Sequence, residues 1–492
     1  MVKTVVGEET QLKLAEDRLT QSGVPSEVGL VIGKLSAALD RGFVFDLVPT
    51  PPNDAGEPAC SLMETARDDK RKGSKGKSQA ESSSLVIDQD WVAEHARQVS
   101  RMLVGGMKVV GIYVWVSDSL FKNSTLVLCQ TVKGVAEAAH YLEGDWDERL
   151  IIHISYSPRK WSCRNYVPTS NITSSSLRPC DFKMGRVLTS FQTFRCMYYF
   201  DLRLPIFLEG ASHLKTLTDI IRYGISIHAR ELKSAKAMIN GNLVVKDKLC
   251  ASDGLHEVEL LLPFMSGISM EACNQKEVLG VLVFSGCICS FAYLNSKEPV
   301  SQALDYIKCN HGSVLCVQGD IIMSLQTRLD ILLDEADGGP NCTVDDDEEA
   351  SSEMSTEKPI PQLSLHLLRK QCSLSFPQRI FVPWLAGTFI CDYLQPSETL
   401  EGVKDHCVEL MSMEAPMDAS SILKPESEAP TLTIKSLWDV AAPAVVSQSS
   451  DCAPTGCITN KTRTENLNIL AAVLILLLSI FVGWLLFFIR AP

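Results

Sequence analysis

Residues 108–116, KVVGIYVWV, form a nearly continuous apolar run with the length of a β-strand. Such a run is typical of a central strand that is covered on both faces. Before it, residues 24–34 read VPSEVGLVIGK, where Val28, Leu30 and Ile32 alternate as they do in a strand. A further strand is predicted at 42–48, GFVFDLV. Together these runs predict a sheet near the start of the chain.

Helices are predicted around these strands. Residues 91–103 place apolar side chains at spacings of three and four after a possible N-cap at Asp88 or Asp90. A second helix is predicted around 132–143, followed by a strand at 150–156, LIIHISY. We therefore assign residues 1–170 to one α/β (α+β) module. Within it, residues 53–84 are predicted to be a disordered insertion, whose basic run at 67–77 is either a solvated loop or a contact for anionic lipid.

Residues 178–335 are predicted to form a second α/β module. Strands are expected at 191–204, 243–245 and 257–262, and helices at 214–239, 299–308 and 321–336. The run VLGVLVFSGCICSFAYL, residues 278–294, has two readings, a membrane span and a set of core strands. Its 17 residues are short for a span and rich in β-branched and aromatic side chains, which favours core strands.

The composition then changes several times. Residues 337–357 contain the run DDDEE and are predicted to be an acidic linker or loop. Residues 363–411 are predicted to be an ordered part of the body, with a strand at 379–383 and a helix at 400–411. Residues 412–466 are rich in Pro, Ser, Thr and acidic residues, which predicts a flexible tether.

A single transmembrane tail anchor is predicted at 469–489, ILAAVLILLLSIFVGWLLFFI. It runs from Ile469 to Ile489 without a charge, with Leu478 at its centre and Trp484 in its second half. A helix of this length covers roughly 30 Å, the thickness of the hydrocarbon core of a bilayer. Because the start of the chain has no apolar signal-peptide core, we expect a single-pass protein whose N-terminal body is cytosolic.

Composition restricts the function further. The net charge of −13 argues against a nucleic-acid partner. The 17 cysteines include no CxxC pair, so free thiols in a reducing cytosol are expected. The chain has no GxxxxGK[ST], GxGxxG or GxSxG motif, and we predict no cofactor.

The first module resembles the MPN (JAB) domain family, through VPSEVGLVIGK and KVVGIYVWVSD. Active members of that family are zinc proteases that cleave ubiquitin-like modifiers, with two His and an Asp on the metal and a Glu as general base. Glu27 matches the family's Glu, but Val114 and Val116 replace the expected His ligands. The resemblance therefore implies an inactive domain without catalytic residues or metal, of a kind that pairs with another MPN-type domain.

As a whole, the chain resembles the odorant-response-abnormal family, through the combination of VPSEVGLVIGK, DQDWVAEHARQVSRMLVGGMKVVGIYVWVS and the apolar tail. This resemblance implies a protein of the endoplasmic-reticulum membrane that aids folding or trafficking of some G-protein-coupled receptors. It also implies a heterodimer, through the MPN-like domain, with a cysteine protease specific for ubiquitin-fold modifier.

Two hypotheses follow. The first is a non-catalytic, tail-anchored adaptor, which raises the local concentration of a partner at a membrane. The alternative is a membrane-anchored hydrolase with an unrecognised site, in which Glu27 or a Cys–His pair acts. Zinc content and unaided activity on a modifier-conjugated substrate distinguish the two.

Overall fold

The computed structural model describes residues 2–36, 40–64, 83–139, 148–167, 176–208, 217–243, 254–262, 277–295, 317–338, 373–414 and 418–436. All of these residues belong to one compact unit, Met1–Ala441. The predicted helix at 299–308, residues 339–357 of the predicted acidic linker and the tail anchor at 469–489 lie outside the described residues. Among the described helices, none combines the length and the apolar character needed to cross a membrane.

The helices and strands are numbered in chain order. The described α-helices, α1 to α7, are Glu9–Ser22, Gln89–Met102, Asp118–Asn123, Thr125–Ala138, Leu217–Lys233, Val317–Gly338 and Leu400–Met411. Strands β1 to β9 are Thr4–Glu8, Glu27–Ser36, Arg41–Pro49, Cys60–Glu64, Ser83–Ile87, Lys108–Trp115, Arg149–Tyr156, Arg159–Tyr166 and Leu177–Gly185. Strands β10 to β18 are Phe191–Leu208, Lys236–Ile239, Asn242–Leu243, Leu255–Leu261, Glu277–Asn295, Ser373–Ser375, Gln378–Pro383, Phe389–Leu394 and Thr431–Ser436.

The first sheet closes into a barrel with the strand order β1-β3-β2-β6-β7-β8-β9. One side of its strands, called here the α1 face, packs on α1 and carries Val31, Tyr113 and Ile152. The other side, called the α2 face, packs on α2 and carries Val28 and Val114. Side chains alternate between these faces along each strand. Every central strand is therefore covered twice, which explains the continuous apolar run at 108–116.

The second sheet has the strand order β12-β11-β13-β10-β14-β18-β15. Its centre is the long antiparallel pair of β10 and β14, which runs from Phe191 opposite Asn295 to Leu208 opposite Glu277. The interpretation of 278–294 as core strand is confirmed, and the segment forms one strand rather than a membrane helix. Helices α5 and α6 cover the sheet through Ile221, Ile225, Ile321 and Leu325, among others.

The two sheets meet through β14, α7 and the hairpin of β16 and β17. Ile380, Ile390 and Phe291 join the apolar core on the α2 face of the barrel. The Tyr293 N–H donates to the carbonyl oxygen of Gly105 at 2.8 Å. Gly105 has a φ of +70°, and an added Cβ would lie 2.0 Å from the Tyr293 ring, so only glycine fits this junction.

Several predicted boundaries need correction. The arms of the insertion at 53–84 are ordered, because Cys60–Glu64 pairs with Ser83–Ile87. The predicted helix at 214–239 ends at Lys233, and its last residues form strand Lys236–Ile239. The barrel needs Leu177–Gly185 as its last strand, beyond the proposed domain end at 170.

The predicted tether at 412–466 is wrong in its first part. Residues 431–436 form β18, which pairs with β14 inside the second sheet. Leu432 and Ile434 are buried in the core of that sheet. This strand is short and alternates threonine with apolar residues, so its composition resembles that of a polar linker. Residues 437–466 lie outside the described part of the chain.

Candidate functional site

The two valines at the expected ligand positions lie in the apolar core. Val114 is on β6 and Val116 follows its end, and both are 0% exposed. They point to the α2 face, where their cluster includes Val92 and Val99 of α2. A valine offers no lone pair, so neither position can bind a metal. The space in which the MPN resemblance would place zinc ligands is part of the packed interior.

Glu27 points to the opposite side of the sheet. It lies across from Trp115, while its neighbour Val28 lies across from Val114. Trp115 and Tyr113 belong to the core on the α1 face. The side chain of Glu27 and those of the two valines are therefore separated by the sheet. Glu27 matches the general base of the MPN family in the sequence, but in the structure it does not lie beside the two valines.

Glu27 is also occupied by two partners. Arg18 Nη1 of α1 donates to Glu27 Oε1 at 2.9 Å, and the Tyr113 hydroxyl donates to the same oxygen at 2.5 Å. Arg18 Nη2 donates to the Tyr113 hydroxyl at 3.0 Å, which closes the triangle. Burial raises the pKa of Tyr113 well above its usual value, so the hydroxyl stays protonated and donates. This arrangement fixes α1 to the barrel, and it was not visible in the sequence.

His153 lies directly across from Val114 on the neighbouring strand β7. Its ring stacks on Phe121 with centroids 4.2 Å apart, and its Nε2 is 3.0 Å from the carbonyl oxygen of Val116. Burial lowers the pKa of His153, so the ring is neutral at pH 7 and donates from Nε2. His153 is therefore a packed histidine of the barrel, 3% exposed.

The surroundings of His153 do not form a catalytic triad. Ser162 Oγ and Asp118 Oδ1 lie 3.4 Å and 3.7 Å away, and both approach the same ring nitrogen, Nδ1. A Ser–His–Asp relay needs the serine and the acid on different ring nitrogens. Because Nε2 binds a backbone carbonyl, this ring cannot pass a proton between the two side chains.

Buried cysteines offer no activated nucleophile. Burial raises the pKa of the Cys60 and Cys391 thiols to about 11 and that of Cys407 to about 12. The thiolate is the nucleophilic form of cysteine, and these three groups are thiols at neutral pH. In the part of the chain that the structure describes, no three His, Cys, Asp or Glu side chains come together in a metal-binding group.

A cluster of buried charges lies between α6, β14 and the β16–β17 hairpin. Arg379 donates to both carboxylate oxygens of Asp320, at 2.7 and 2.8 Å. Arg328 Nη2 donates to Glu426 Oε1 at 2.6 Å, with both side chains 0% exposed. Glu426 Oε2 accepts from the backbone N–H of Arg379 at 2.9 Å. The cluster joins segments up to 106 residues apart, from 320 to 426, and no local sequence pattern predicts it.

Asp46 is a further charged residue that sequence reasoning missed. It lies on β3 next to the bulge opposite β2. Burial raises the pKa of Asp46 to about 7, although the Leu47 N–H donates to its Oδ1 at 2.8 Å and favours the charged form. An acid with this pKa in the barrel wall changes charge near neutral pH.

Comparison with known proteins places these observations in a family. The sequence pattern of the ODR4-like family, described as odorant response abnormal 4-like, matches residues 29–422. A protein of Mus musculus named "Protein odr-4 homolog" is 25% identical over 84% of this chain and 84% of its own length. Proteins of the same name from Homo sapiens and Dictyostelium discoideum are each 24% identical, over 78% and 82% of this chain and 77% and 79% of theirs.

A solved structure was also found, the crystal structure of UfSP from C. elegans. Its TM-score is 0.36 at 7% sequence identity, over 85% of this chain and 59% of that chain. The family assignment does not depend on this likeness. Since the family pattern extends from the second barrel strand to the segment after α7, the chain belongs to the ODR4-like family.

Proposed function

We propose that this chain is a non-catalytic, tail-anchored membrane adaptor. Residues 469–489 hold it in the endoplasmic-reticulum membrane as a single-pass protein, and its body works on the cytosolic side. There the body recruits a ubiquitin-fold-modifier-specific cysteine protease through its MPN-like barrel. The assembly supports folding and trafficking of a subset of G-protein-coupled receptors.

The observation that carries this proposal is the burial of Val114 and Val116 in the barrel core. A zinc hydrolase of the MPN type needs two imidazole ligands at these positions and a carboxylate beside them. This chain keeps the strand, fills the ligand positions with core side chains and engages Glu27 in an ion pair on the other face. A scaffold of this kind supports a binding role.

Two further observations support the proposed membrane location and the proposed role with receptors. The stretch 469–489 contains 21 residues without a charge, enough to span roughly 30 Å as a helix. The description of the family, odorant response abnormal, connects its members by name to the response to odorants. An anchored body raises the effective concentration of its partner at the membrane without any new catalytic group.

The anchoring part of the proposal is tested by membrane fractionation. We expect the full chain to stay in the membrane pellet after alkaline carbonate extraction. A chain that ends at residue 466 is expected in the soluble fraction. The variant Leu478→Arg is expected to have a larger soluble share than the wild type, because a central charge costs roughly 3 kcal/mol on the insertion scale. The variant Leu478→Phe is the matched control and is expected in the pellet. A shortened chain that stays in the pellet would contradict the single anchor.

The adaptor part is tested by co-purification and activity. We expect the chain that ends at 466 to bind the protease as well as the full chain does, but away from membranes. The full chain alone is expected to leave a modifier-conjugated substrate uncleaved and to contain no stoichiometric zinc. Cleavage by the full chain without the protease, or one zinc per chain, would favour the membrane-anchored hydrolase instead.

A further inference from the structure

Two cysteines face each other across the seam of the barrel. Cys163 on β8 and Cys180 on β9 are direct partners in an antiparallel ladder. Direct partners on antiparallel strands have Cα atoms about 4.5–5.5 Å apart, with both side chains on the same face. Disulfides join Cα atoms that are about 4.4–6.8 Å apart. The two thiols therefore occupy positions that a disulfide can join without a movement of the backbone.

The two thiols differ in their exposure. Cys163 is buried in the core on the α1 face, and Cys180 packs against that core but reaches solvent. A hydrogen bond from Cys163 lowers the pKa of Cys180, and the same contact together with burial raises the pKa of Cys163. Cys180 is therefore the thiol that ionises first and that a small oxidant can reach.

We propose that Cys163 and Cys180 are an oxidant-sensitive pair that forms a reversible disulfide in the folded chain. In a reducing cytosol both are thiols. On exposure to a hydroperoxide, the Cys180 thiolate attacks the O–O bond of hydrogen peroxide, and the leaving hydroxide takes up a proton to become water. The resulting sulfenic acid at Cys180 is attacked by the sulfur of Cys163.

The second step forms the S–S bond and releases another water molecule. In total, two thiols and one hydrogen peroxide give one disulfide and two water molecules, and the two electrons that the sulfur atoms lose reduce the peroxide. Reduced glutathione reverses the change by thiol–disulfide exchange. The pair thus makes the barrel a reversible sensor of hydroperoxide.

The bond would change the barrel at a defined place. It would close the 16 residues between Cys163 and Cys180 into a loop and tie β8 to β9. Cys180 also donates from its sulfur to the carbonyl oxygen of Val2 at 3.5 Å, just before β1, and β1 pairs with β9. Oxidation removes this donor while it restricts the unfolded chain, so the stability of the barrel seam depends on the redox state.

The test uses the full chain in detergent. The folded protein is treated with hydrogen peroxide, free thiols are blocked with N-ethylmaleimide, and the digest is analysed by mass spectrometry. We expect a peptide that links Cys163 to Cys180 and that dithiothreitol abolishes. Oxidation is expected to raise the Tm by roughly 3–8 °C in the wild type. The control Cys129→Ala, which lacks a buried thiol of α4, is expected to show the same linked peptide and the same Tm shift. Cys180→Ser is expected to show neither the linked peptide nor the Tm shift.

Two results would overturn the proposal. One is that peroxide converts Cys180 to a sulfinic acid, or leaves it open to N-ethylmaleimide, without a link to Cys163. The other is a link that forms only in urea, where the chain is unfolded. If Cys180→Ser fails to fold in its reduced form, the peptide map of the oxidised wild type decides the question alone.

Discussion

Glu27 connects three elements of the barrel through one carboxylate oxygen. Its carboxylate accepts from the Arg18 guanidinium and from the Tyr113 hydroxyl, which is buried. A general base of the MPN type would lie beside the metal ligands, whereas Glu27 lies on the opposite face of the sheet from Val114 and Val116. Here both donors approach the same oxygen and connect α1 to β2 and β6. The residue is better described as a structural acceptor.

The first prediction concerns this acceptor. Glu27→Ala leaves the Tyr113 hydroxyl buried without its acceptor and is expected to cost about 1–3 kcal/mol in the free energy of unfolding. Glu27→Gln keeps an acceptor oxygen and is expected to cost less. Glu137→Ala, which removes an exposed ion pair with Lys133, serves as the control and is expected to have no measurable effect. Urea unfolding measures all three, and equal effects of Glu27→Ala and Glu137→Ala would contradict the structural role.

The second prediction concerns the partly buried carboxyl of Asp46, whose pKa is raised to about 7. Between pH 4 and 7 the folded chain holds this proton, while the unfolded chain has released it. Stability therefore falls as the pH rises through this window, since the unfolded state binds fewer protons. Asp46→Asn removes the titration and keeps the acceptor for the Leu47 N–H.

We expect the free energy of unfolding of Asp46→Asn, measured relative to that of the wild type, to be higher at pH 8 than at pH 5 by on the order of 2 kcal/mol. Urea unfolding at the two pH values provides the measurement. A difference between the two proteins that is independent of pH would show that Asp46 has an ordinary pKa.

At the scale of elements, the buried charges on α6 connect the second sheet to the hairpin of β16 and β17. Asp320 and Arg328 are two turns apart on the helix and bind Arg379 and Glu426, respectively. The Arg379 and Arg328 guanidinium groups also lie over the Tyr393 ring, at 5.8 Å and 5.6 Å. These contacts connect α6 to the hairpin and to the segment that carries Glu426.

The third prediction follows from the cost of an unpaired buried charge. Arg379→Met leaves Asp320 buried without its partner and is expected to cost about 3–5 kcal/mol. The double variant Arg379→Met with Asp320→Leu removes both charges and is expected to recover a large part of that loss. Thermal unfolding of the single and double variants compares them, and a double variant that is less stable than the single one would contradict the explanation.

At the scale of the whole molecule, the barrel depends on later parts of the chain. Residues from β14, the β16–β17 hairpin and α7 belong to the same apolar core as the α2 face of the barrel. The buried His95 of α2 also lies with Nε2 2.9 Å from the carbonyl oxygen of Leu410 in α7. A domain that ends near residue 170 would lack its last strand and the cover of one face.

The fourth prediction tests this dependence. A chain that ends at residue 190 keeps all seven barrel strands but exposes the apolar side chains that β14 and the hairpin cover. We expect it to aggregate or to bind the dye ANS strongly, whereas a chain that ends at residue 441 stays soluble and binds little. A soluble 1–190 fragment with a cooperative thermal transition would show that the barrel is an independent domain.

The local sequence pattern predicted those strands and helices whose own apolar residues show which side is buried. The apolar runs at 108–116, 191–204 and 278–294 are strands, and the helix predicted at 400–411 has these bounds in the structure. Each of these segments carries enough apolar residues in one period to indicate its own burial. The polar strand Thr431–Ser436 was missed because its neighbours, rather than its composition, place it in the sheet.

The sequence alone determined the mixed α/β character of the body, the presence of valine rather than a metal-binding side chain at positions 114 and 116, and the similarity to the ODR4-like family. Only the tertiary structure decided that Glu27 faces away from those valines, that Arg18 neutralises it, and that Asp320, Arg328, Arg379 and Glu426 come together. The physical reason is that the period of a segment reports which of its own side chains are buried. The choice of partner depends on strands and helices that are distant in the chain and meet only when the whole core is packed.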